Sequence, residues 1–278
     1  MQTRPFGAAA APVPVIGQGT WNIEGSAAEE RRAVETLRLG LDLGLTHIDT
    51  AEMYGNGRAE ELVAEAIAGR REQVFVASKV LPENASYQGT LDACDRSLRR
   101  LRTEYIDLYM LHWPGRHPIG DTMRALEKLA DAGKIRHIGV SNFDVKELQE
   151  AEAALGSQRL ACNQVLYHLK ERGIERRLLP YCAGRRIAVV AYSPFGQRRF
   201  PNSKVLADIA ARHNRTPRQV ALNFLTRHPD VFAIPKTAHP EHVRENAAGV
   251  GWQLPPEDIA AIDRAFPAPD HDTPLATL

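Results

Sequence analysis

Short apolar runs of β-like composition alternate with amphipathic helical patterns along most of this chain, and no Ser/Gly linker or low-complexity block interrupts them. The runs are Thr46–Asp49, Val74–Ser78, Ile106–Leu111, His137–Val140, Ala161–Val165, Ala188–Ala191, Phe232–Ile234 and a weak eighth, Gly251–Gln253. Between them Val34, Leu37 and Leu41 recur at helical spacing, as do Leu91, Cys94, Leu98 and Leu101, and again Leu148, Ala151 and Leu155. Strand, helix, strand in repetition calls for right-handed parallel crossovers, and eight such units close into an α/β (β/α)8 (TIM) barrel with helices outside. A doubly wound sheet is the competing fold. It usually carries GxGxxG after its first strand, whereas Gly17-Gln18-Gly19-Thr20-Trp21 lacks the third glycine and is followed by no prompt strand. The expectation is one barrel domain over residues 1–278, capped by its N-terminal segment and ending in an extra C-terminal helix.

The connection between the sixth and seventh runs is longer than the others. It holds two helical stretches, Lys204–Arg212 and Pro217–Thr226, with Thr216-Pro217 as N-cap and first-turn proline of the second. A last helix, Pro256–Phe266, precedes a short proline-broken tail. A length of 278 residues suits such a barrel as a single domain.

The 35 basic and 34 acidic residues nearly cancel, which argues against a nucleic-acid partner or an anionic membrane surface. No apolar stretch approaches the roughly 20 residues of a membrane span. Cys94, Cys162 and Cys182 are odd in number and show no CxxC spacing, so neither a disulfide framework nor a metal site is expected. These features point to a soluble protein of a reducing, cytoplasmic compartment.

Four polar residues fall at or just past the ends of the runs: Asp49, Tyr54 in the loop after it, Lys79 and His112. In a parallel barrel the loops after the strands converge on one face, so these four become neighbours. An unperturbed phenol, with a pKa of about 10, is a weak general acid. A nearby Lys79 ammonium stabilises the tyrosinate and so depresses that pKa, while Asp49 keeps the lysine charged and oriented. His112 then donates a hydrogen bond to a substrate carbonyl oxygen. Each residue alone also has an ordinary role: Asp49 as a cap, Lys79 as a solvated charge, His112 packed beside Trp113, Tyr54 anchoring the turn Gly55-Asn56-Gly57. Their joint placement at strand ends carries the functional reading.

The chain also contains longer recognisable text. His47-Ile48-Asp49-Thr50-Ala51, Met53-Tyr54-Gly55-Asn56-Gly57, Ser78-Lys79-Val80, Leu111-His112-Trp113-Pro114, Gly139-Val140-Ser141-Asn142-Phe143, Asn163-Gln164-Val165, Ala191-Tyr192-Ser193-Pro194-Phe195-Gly196 and Ile234-Pro235-Lys236-Thr237 resemble the aldo-keto reductase family in order and spacing, from about Gly17 to Asn246. The resemblance implies a barrel that binds an extended nicotinamide dinucleotide and transfers hydride to a carbonyl carbon. Tyr54 is then the proton donor, assisted by Lys79 and Asp49, with His112 orienting the carbonyl. Ser141 and Asn142 match the carboxamide positions, helped by Gln164, and Tyr192 the residue stacked on the nicotinamide. Thr20, Asp49, Ser193, Pro194, Phe195 and Gly196 complete the implied cofactor groove. Outside the family context Ser141-Asn142 also reads as a helix cap and Tyr192-Ser193-Pro194 as a turn.

Lys236 and Thr237 match the positions where many members hold the ribose phosphate of NADPH, and a lysine and a hydroxyl beside a helix N-terminus suit an anion. NADPH is the favoured cofactor. His242 departs from the pattern, standing where many members place an arginine, and leaves NADH open as a second cofactor. Glu245 and Asn246 match the adenine contacts. Gln197-Arg198-Arg199-Phe200-Pro201 replaces an acidic loop of some relatives, and Arg198 and Arg199 are candidates either for pyrophosphate contact or for a solvated basic loop.

Trp21, Tyr54, His112 and Trp113 are the candidate substrate walls. The short loop from Gly115 to Gly120 and the short tail imply an open pocket. The expected function is NADPH-dependent reduction of aldehydes or ketones, with small aldehydes, dicarbonyls such as methylglyoxal and keto-sugar derivatives as candidate substrates. A monomer is the family's common habit. One rival reading is a cofactor-binding redox sensor or accessory subunit with little turnover. Another is a barrel isomerase or aldolase using Lys79 as a Schiff base, which Asp49 opposes by favouring the charged amine.

Overall fold

The computed structural model describes residues 1–197 and 200–278. The chain opens with an antiparallel hairpin, β1 (Thr3–Pro5) against β2 (Pro12–Pro14). Eight parallel strands follow: β3 (Gln18–Gly19), β4 (His47–Asp49), β5 (Phe75–Val80), β6 (Ile106–Leu111), β7 (Ile135–Ser141), β8 (Leu160–Leu166), β9 (Ala188–Tyr192) and β10 (Val231–Ala233), each hydrogen-bonded to the next in order. The ring closes where Ile16 bridges Ala233, with Gly17 N donating to Ala233 O at 2.8 Å and Ala233 N to Val15 O at 3.0 Å. The expected (β/α)8 barrel is therefore the observed one.

Helices α1 (Ala27–Asp42), α2 (Arg58–Ile67), α3 (Tyr87–Leu101), α4 (Ile119–Asp131), α5 (Val145–Ala154) and α6 (Leu178–Arg185) connect successive strands. The long connection before β10 holds α7 (Lys204–Arg212) and α8 (Pro217–Leu225); α9 (Pro240–Ala247) and α10 (Pro256–Ala265) follow the last strand. Local chemistry starts several of them. Ser26 with Glu29, Asp144 with Glu147 and Thr216 with Gln219 each form a reciprocal capping box, satisfying otherwise orphaned N–H groups. The stripes at Val34, Leu37 and Leu41, and at Cys94, Leu98 and Leu101, are buried against the strands. None of the helices among the described residues is long and apolar enough to cross a membrane.

Gly251–Gln253 is not a strand, which corrects the expected eighth run. Gly251 adopts a left-handed φ of 86°, and the Trp252 ring packs on His213 at 5.4 Å instead of into the sheet. The missing strand is Gln18–Gly19, inside the segment that shows no strand pattern in sequence. Two residues, one of them glycine, carry no periodicity; their strand geometry comes from pairing with Ile48 and Asp49 and from barrel closure.

The N-terminal hairpin plugs the lower end. Phe6 is wholly buried, with its ring 4.9 Å from Phe232, 5.2 Å from Phe75 and 6.0 Å from the His47 imidazole. Gly7, at φ 53°, lets the hairpin press on the barrel, because a Cβ there would lie 2.2 Å from Ala161 O. Inside the barrel Ala77, Leu108, Met110, Cys162, Ala188 and Val190 form an apolar cluster with this plug. Pleating alternates successive side chains between barrel interior and helix layer. The residues two steps further along those same strands, Lys79, His112, Gln164 and Tyr192, therefore share the interior parity and emerge at the opposite, upper end.

Candidate active site

Asp49 ends β4, Lys79 lies in β5 and His112 follows β6, so three of the four expected catalytic groups come from adjacent strands. Asp49 Oδ1 accepts from Lys79 Nζ at 2.7 Å, and both side chains are at most 2 % exposed. Lys79 Nζ also donates to Thr50 O at 2.8 Å and to the Tyr54 hydroxyl at 3.3 Å. Its three protons are thereby directed at three oxygens, two on the backbone and carboxylate side and one on the phenol. Tyr54 reaches this position from a turn in which Gly55, Asn56 and Gly57 all take left-handed φ values. A β-branched residue in that turn would be strained, which explains the Gly-Asn-Gly text after the tyrosine.

The titration of Tyr54 differs from the sequence expectation. Burial raises its pKa above the usual phenol value, and the opposing pull of Lys79 does not reverse that. For Lys79, burial acts to lower the pKa, but Asp49 and Tyr54 together outweigh it and the ammonium is favoured. A charged Lys79 also weakens the Schiff-base reading, which needs a free amine. His112 is held neutral: burial, with Lys79 adding to it, pushes its pKa down to about 2. Its ring meets Tyr54 edge-on at 5.7 Å and rests on Trp113 at 4.6 Å. Nδ1 of His112 is buried with no hydrogen-bond partner among the described residues. The tautomer that protonates Nε2 avoids a buried orphan N–H and leaves a donor for the cavity.

Asp49, Tyr54 and His112, with Lys79 buried beneath them, floor a cavity of about 390 Å³ lined also by Thr20, Trp21, Trp113, Ser141, Asn142, Gln164, Tyr192, Ser193 and Lys236. Thr20 ties the end of β3 to β4 by donating to Asp49 O at 2.9 Å. The Tyr192 hydroxyl donates to Asn142 Oδ1 at 2.8 Å, and Asn142 Nδ2 donates to His112 O at 3.1 Å and Ser141 Oγ at 3.2 Å. Asn142, at φ 60°, thus braces the Tyr192 ring and the His112 backbone together. Gln164 Nε2 donates to Asp49 Oδ2 at 2.7 Å, a contact across the barrel that has no local signature in sequence.

The remaining expected cofactor residues spread away from this floor. Pro194, Phe195 and Gly196 line a small adjoining recess with His168 and Phe200. Thr237 Oγ1 accepts from His239 N at 3.0 Å and lies 3.5 Å from His242 Nδ1. Glu245 accepts from the Thr216 hydroxyl at 2.6 Å, which anchors α9 on α8. Asn246 is buried with its Oδ1 unpartnered among the described residues, in a narrow recess beside Thr237, Gly17 and Gly19. The amide and hydroxyl groups of Ser141, Asn142 and Gln164 and the Lys236 ammonium on the same cavity wall suit the carboxamide and phosphate chemistry of a nicotinamide dinucleotide. Arg198 and Arg199 lie outside the described residues.

Met53, Gln197, Ile234 and Leu278 line the cavity as well and are absent from the sequence-derived set. Met53 is legible in the sequence as the neighbour of Tyr54. Leu278 is not. Arg176 and Arg177 hold Asp272 at 2.7 and 3.1 Å, Arg176 also donates to Asp270 O, and Leu275 packs on the core, so the tail runs up to the mouth. The short tail was expected to leave the pocket open; it contributes a wall instead.

The sequence model of the Aldo/keto reductase family matches residues 15–266. The chain belongs to the aldo/keto reductase family. Methylglyoxal reductase YeaE of Escherichia coli (strain K12) is 47 % identical over 268 residues, covering 95 % of this chain and 94 % of that protein. Glyoxal reductase of Bacillus subtilis (strain 168) is 37 % identical, covering 93 % of each. The crystal structure of an aldo/keto reductase from Klebsiella pneumoniae in complex with NADP and acetate superposes with a TM-score of 0.95 at 44 % identity, over 100 % of this chain and 99 % of that one.

Proposed function

We propose that this chain is a single-domain, NADPH-dependent reductase of small aldehydes and dicarbonyl compounds, working as a cytoplasmic monomer. The observation that carries the chemistry is the buried Lys79 ammonium, shared between Asp49 and the Tyr54 hydroxyl on the floor of a cavity that also presents neutral His112. The reduced nicotinamide, when bound, supplies hydride to the carbonyl carbon. Tyr54 gives its phenolic proton to the carbonyl oxygen as negative charge develops there. Lys79 stabilises the tyrosinate left behind, and Asp49 keeps that lysine charged. His112 donates from Nε2 to the same oxygen, a contact that strengthens as the oxygen becomes anionic.

Ser141, Asn142 and Gln164 are the groups for the carboxamide, and Tyr192 presents its ring to the nicotinamide. Lys236 and Thr237 favour NADPH over NADH through a charge and a hydroxyl for the ribose phosphate, with His242 beside them; Glu245 and Asn246 receive the adenine. Trp21, Met53, Trp113 and Leu278 form the substrate walls, a lining that suits small or aromatic aldehydes. Two relatives that span nearly the whole chain are named for methylglyoxal and glyoxal reduction, which supports dicarbonyls and supports turnover over a sensor role. Three buried free cysteines suit a reducing compartment.

The test is loss of absorbance at 340 nm with NADPH or NADH against methylglyoxal, an aromatic aldehyde and a ketone. Substrate-dependent oxidation, faster with NADPH, is the expected result. Tight NADPH binding with no turnover on any carbonyl would overturn the reductase reading in favour of a sensor.

A further inference from the structure

Tyr54 and Lys79 come from different segments, a loop and a strand, and their 3.3 Å contact is long for a hydrogen bond, so a small displacement of either breaks it. The loop is tied at both ends to β5, the strand that carries Lys79. At its start the Glu52 carboxylate accepts from Leu81 N, just past β5, at 2.8 Å. At its end Glu60, wholly buried in the first turn of α2, accepts at 2.5 Å from the hydroxyl of Ser78, the residue before Lys79. Helix α3 offers an arginine to each carboxylate from positions four residues apart, which share one helix face. Arg96 lies 3.5 Å from Glu52, and Arg100 Nε donates to Glu60 at 2.6 Å. Arg100 also packs directly against the loop. A Cβ on Gly57, at φ 92°, would lie 2.4 Å from Arg100 Nε, so the turn that presents Tyr54 closes on the guanidinium itself.

We propose that the Glu60–Arg100 pair positions the proton donor: it holds the Tyr54 loop on β5 through Gly57 and Ser78, and so sets the spacing between the Tyr54 hydroxyl and Lys79 Nζ. Neither Glu60 nor Arg100 lines the cavity, so both act through the loop and not on the substrate. This rests on the reductase reading above, in which Tyr54 gives the proton. Misplacing a reacting group by about 1 Å costs up to about 100-fold in rate. The residues read as holding the carboxamide and phosphate, Ser141, Asn142, Gln164 and Lys236, come from β7, β8 and the segment after β10. Disturbing the pair therefore slows chemistry and spares cofactor affinity.

The test is the single-turnover rate of NADPH oxidation by the whole chain with methylglyoxal, beside NADPH affinity from quenching of tryptophan fluorescence; Trp21 and Trp113 both line the cavity. Arg100→Ala is expected to slow the single turnover by about tenfold to 100-fold, with NADPH bound within about twofold of wild type. That variant also strands the buried Glu60 charge and loses stability. Glu60→Gln/Arg100→Ala removes the charge and regains thermal stability, yet stays slow, because the space against Gly57 is still empty. In a Tyr54→Phe background the same double substitution changes the residual rate by less than about twofold, since the hydroxyl it would misplace is gone. An unchanged rate in Arg100→Ala, a rate that recovers with stability, or an equal loss in the Tyr54→Phe background overturns the proposal and leaves the pair a stabilising role alone. Should Arg100→Ala fail to fold, Ser78→Ala, which deletes only the hydroxyl between β5 and Glu60, replaces it, with a slower turnover expected beside Tyr54 and none beside Phe at that position; equal effects overturn the proposal. A wild type that oxidises no NADPH with any carbonyl overturns the reductase reading itself.

Discussion

Lys79 Nζ stands 3.3 Å from the Tyr54 hydroxyl and 4.9 Å from the centre of its ring, so one buried ammonium addresses both the phenol oxygen and the π face of the same residue. Burial nevertheless wins over this attraction and keeps the phenol protonated beyond its ordinary range. Tyr54→Phe retains the ring contact and loses the proton. Turnover is expected to fall by about 10²–10⁴, with NADPH affinity within a few-fold of wild type. Steady-state rates and a fluorescence titration check the two halves, and near-normal turnover would remove Tyr54 from the mechanism. Reduction by the wild type should hold across neutral pH and decline only as pH rises past the ordinary phenol value of about 10.

Removing one partner of the buried Lys79–Asp49 pair leaves an uncompensated charge where water cannot reach it. Lys79→Met is expected to cost about 3–5 kcal/mol of stability. The double variant Lys79→Met/Asp49→Asn should recover a large part of that while remaining inactive. Urea unfolding of the three proteins measures it; equal stability of the single and double variants would show that the charge is not the cause.

His112 is neutral, so its contribution to the carbonyl is a hydrogen bond and not a charge. His112→Gln preserves an N–H donor and is expected to retain more kcat/KM than His112→Ala, which should lose about 10²-fold or more. Equal losses in both, measured on several aldehydes, would make the ring's packing on Trp113 its main role.

His47 lies two residues before Asp49, wholly buried with both ring nitrogens unpartnered among the described residues, and burial pushes its pKa down to about 4. The unfolded chain binds a proton near the ordinary histidine value of about 6.5 and the folded one does not. Its stability contribution is therefore present above that value and is lost as pH falls toward about 4, with a slope near 1.4 kcal/mol per pH unit. His47→Phe keeps the edge contacts with Phe6 and Phe75 in type and should flatten the acid side of a Tm-against-pH curve. An unchanged slope would assign acid lability to other groups.

The seven clear strands, the outer helices and the polar groups at the strand tips were legible because each has a local cause. Apolar runs, 3.6-residue stripes, capping pairs such as Ser26 with Glu29 and the Gly55-Asn56-Gly57 turn are all set by neighbours in the chain. The roles of Asp49, Tyr54, Lys79 and His112 are legible in the family resemblance of the segments that carry them. What the chain does not spell out are relations between residues far apart in it. Gln18–Gly19 becomes a strand only because β4 and Ala233 flank it. Gln164 meets Asp49 across 115 residues, and the tail brings Leu278 to the cavity through Asp272 and two arginines of the α6 region. The direction of the Tyr54 shift belongs to the same class: sequence supplies the lysine that lowers the pKa, while the depth of burial that raises it exists only once the barrel has closed.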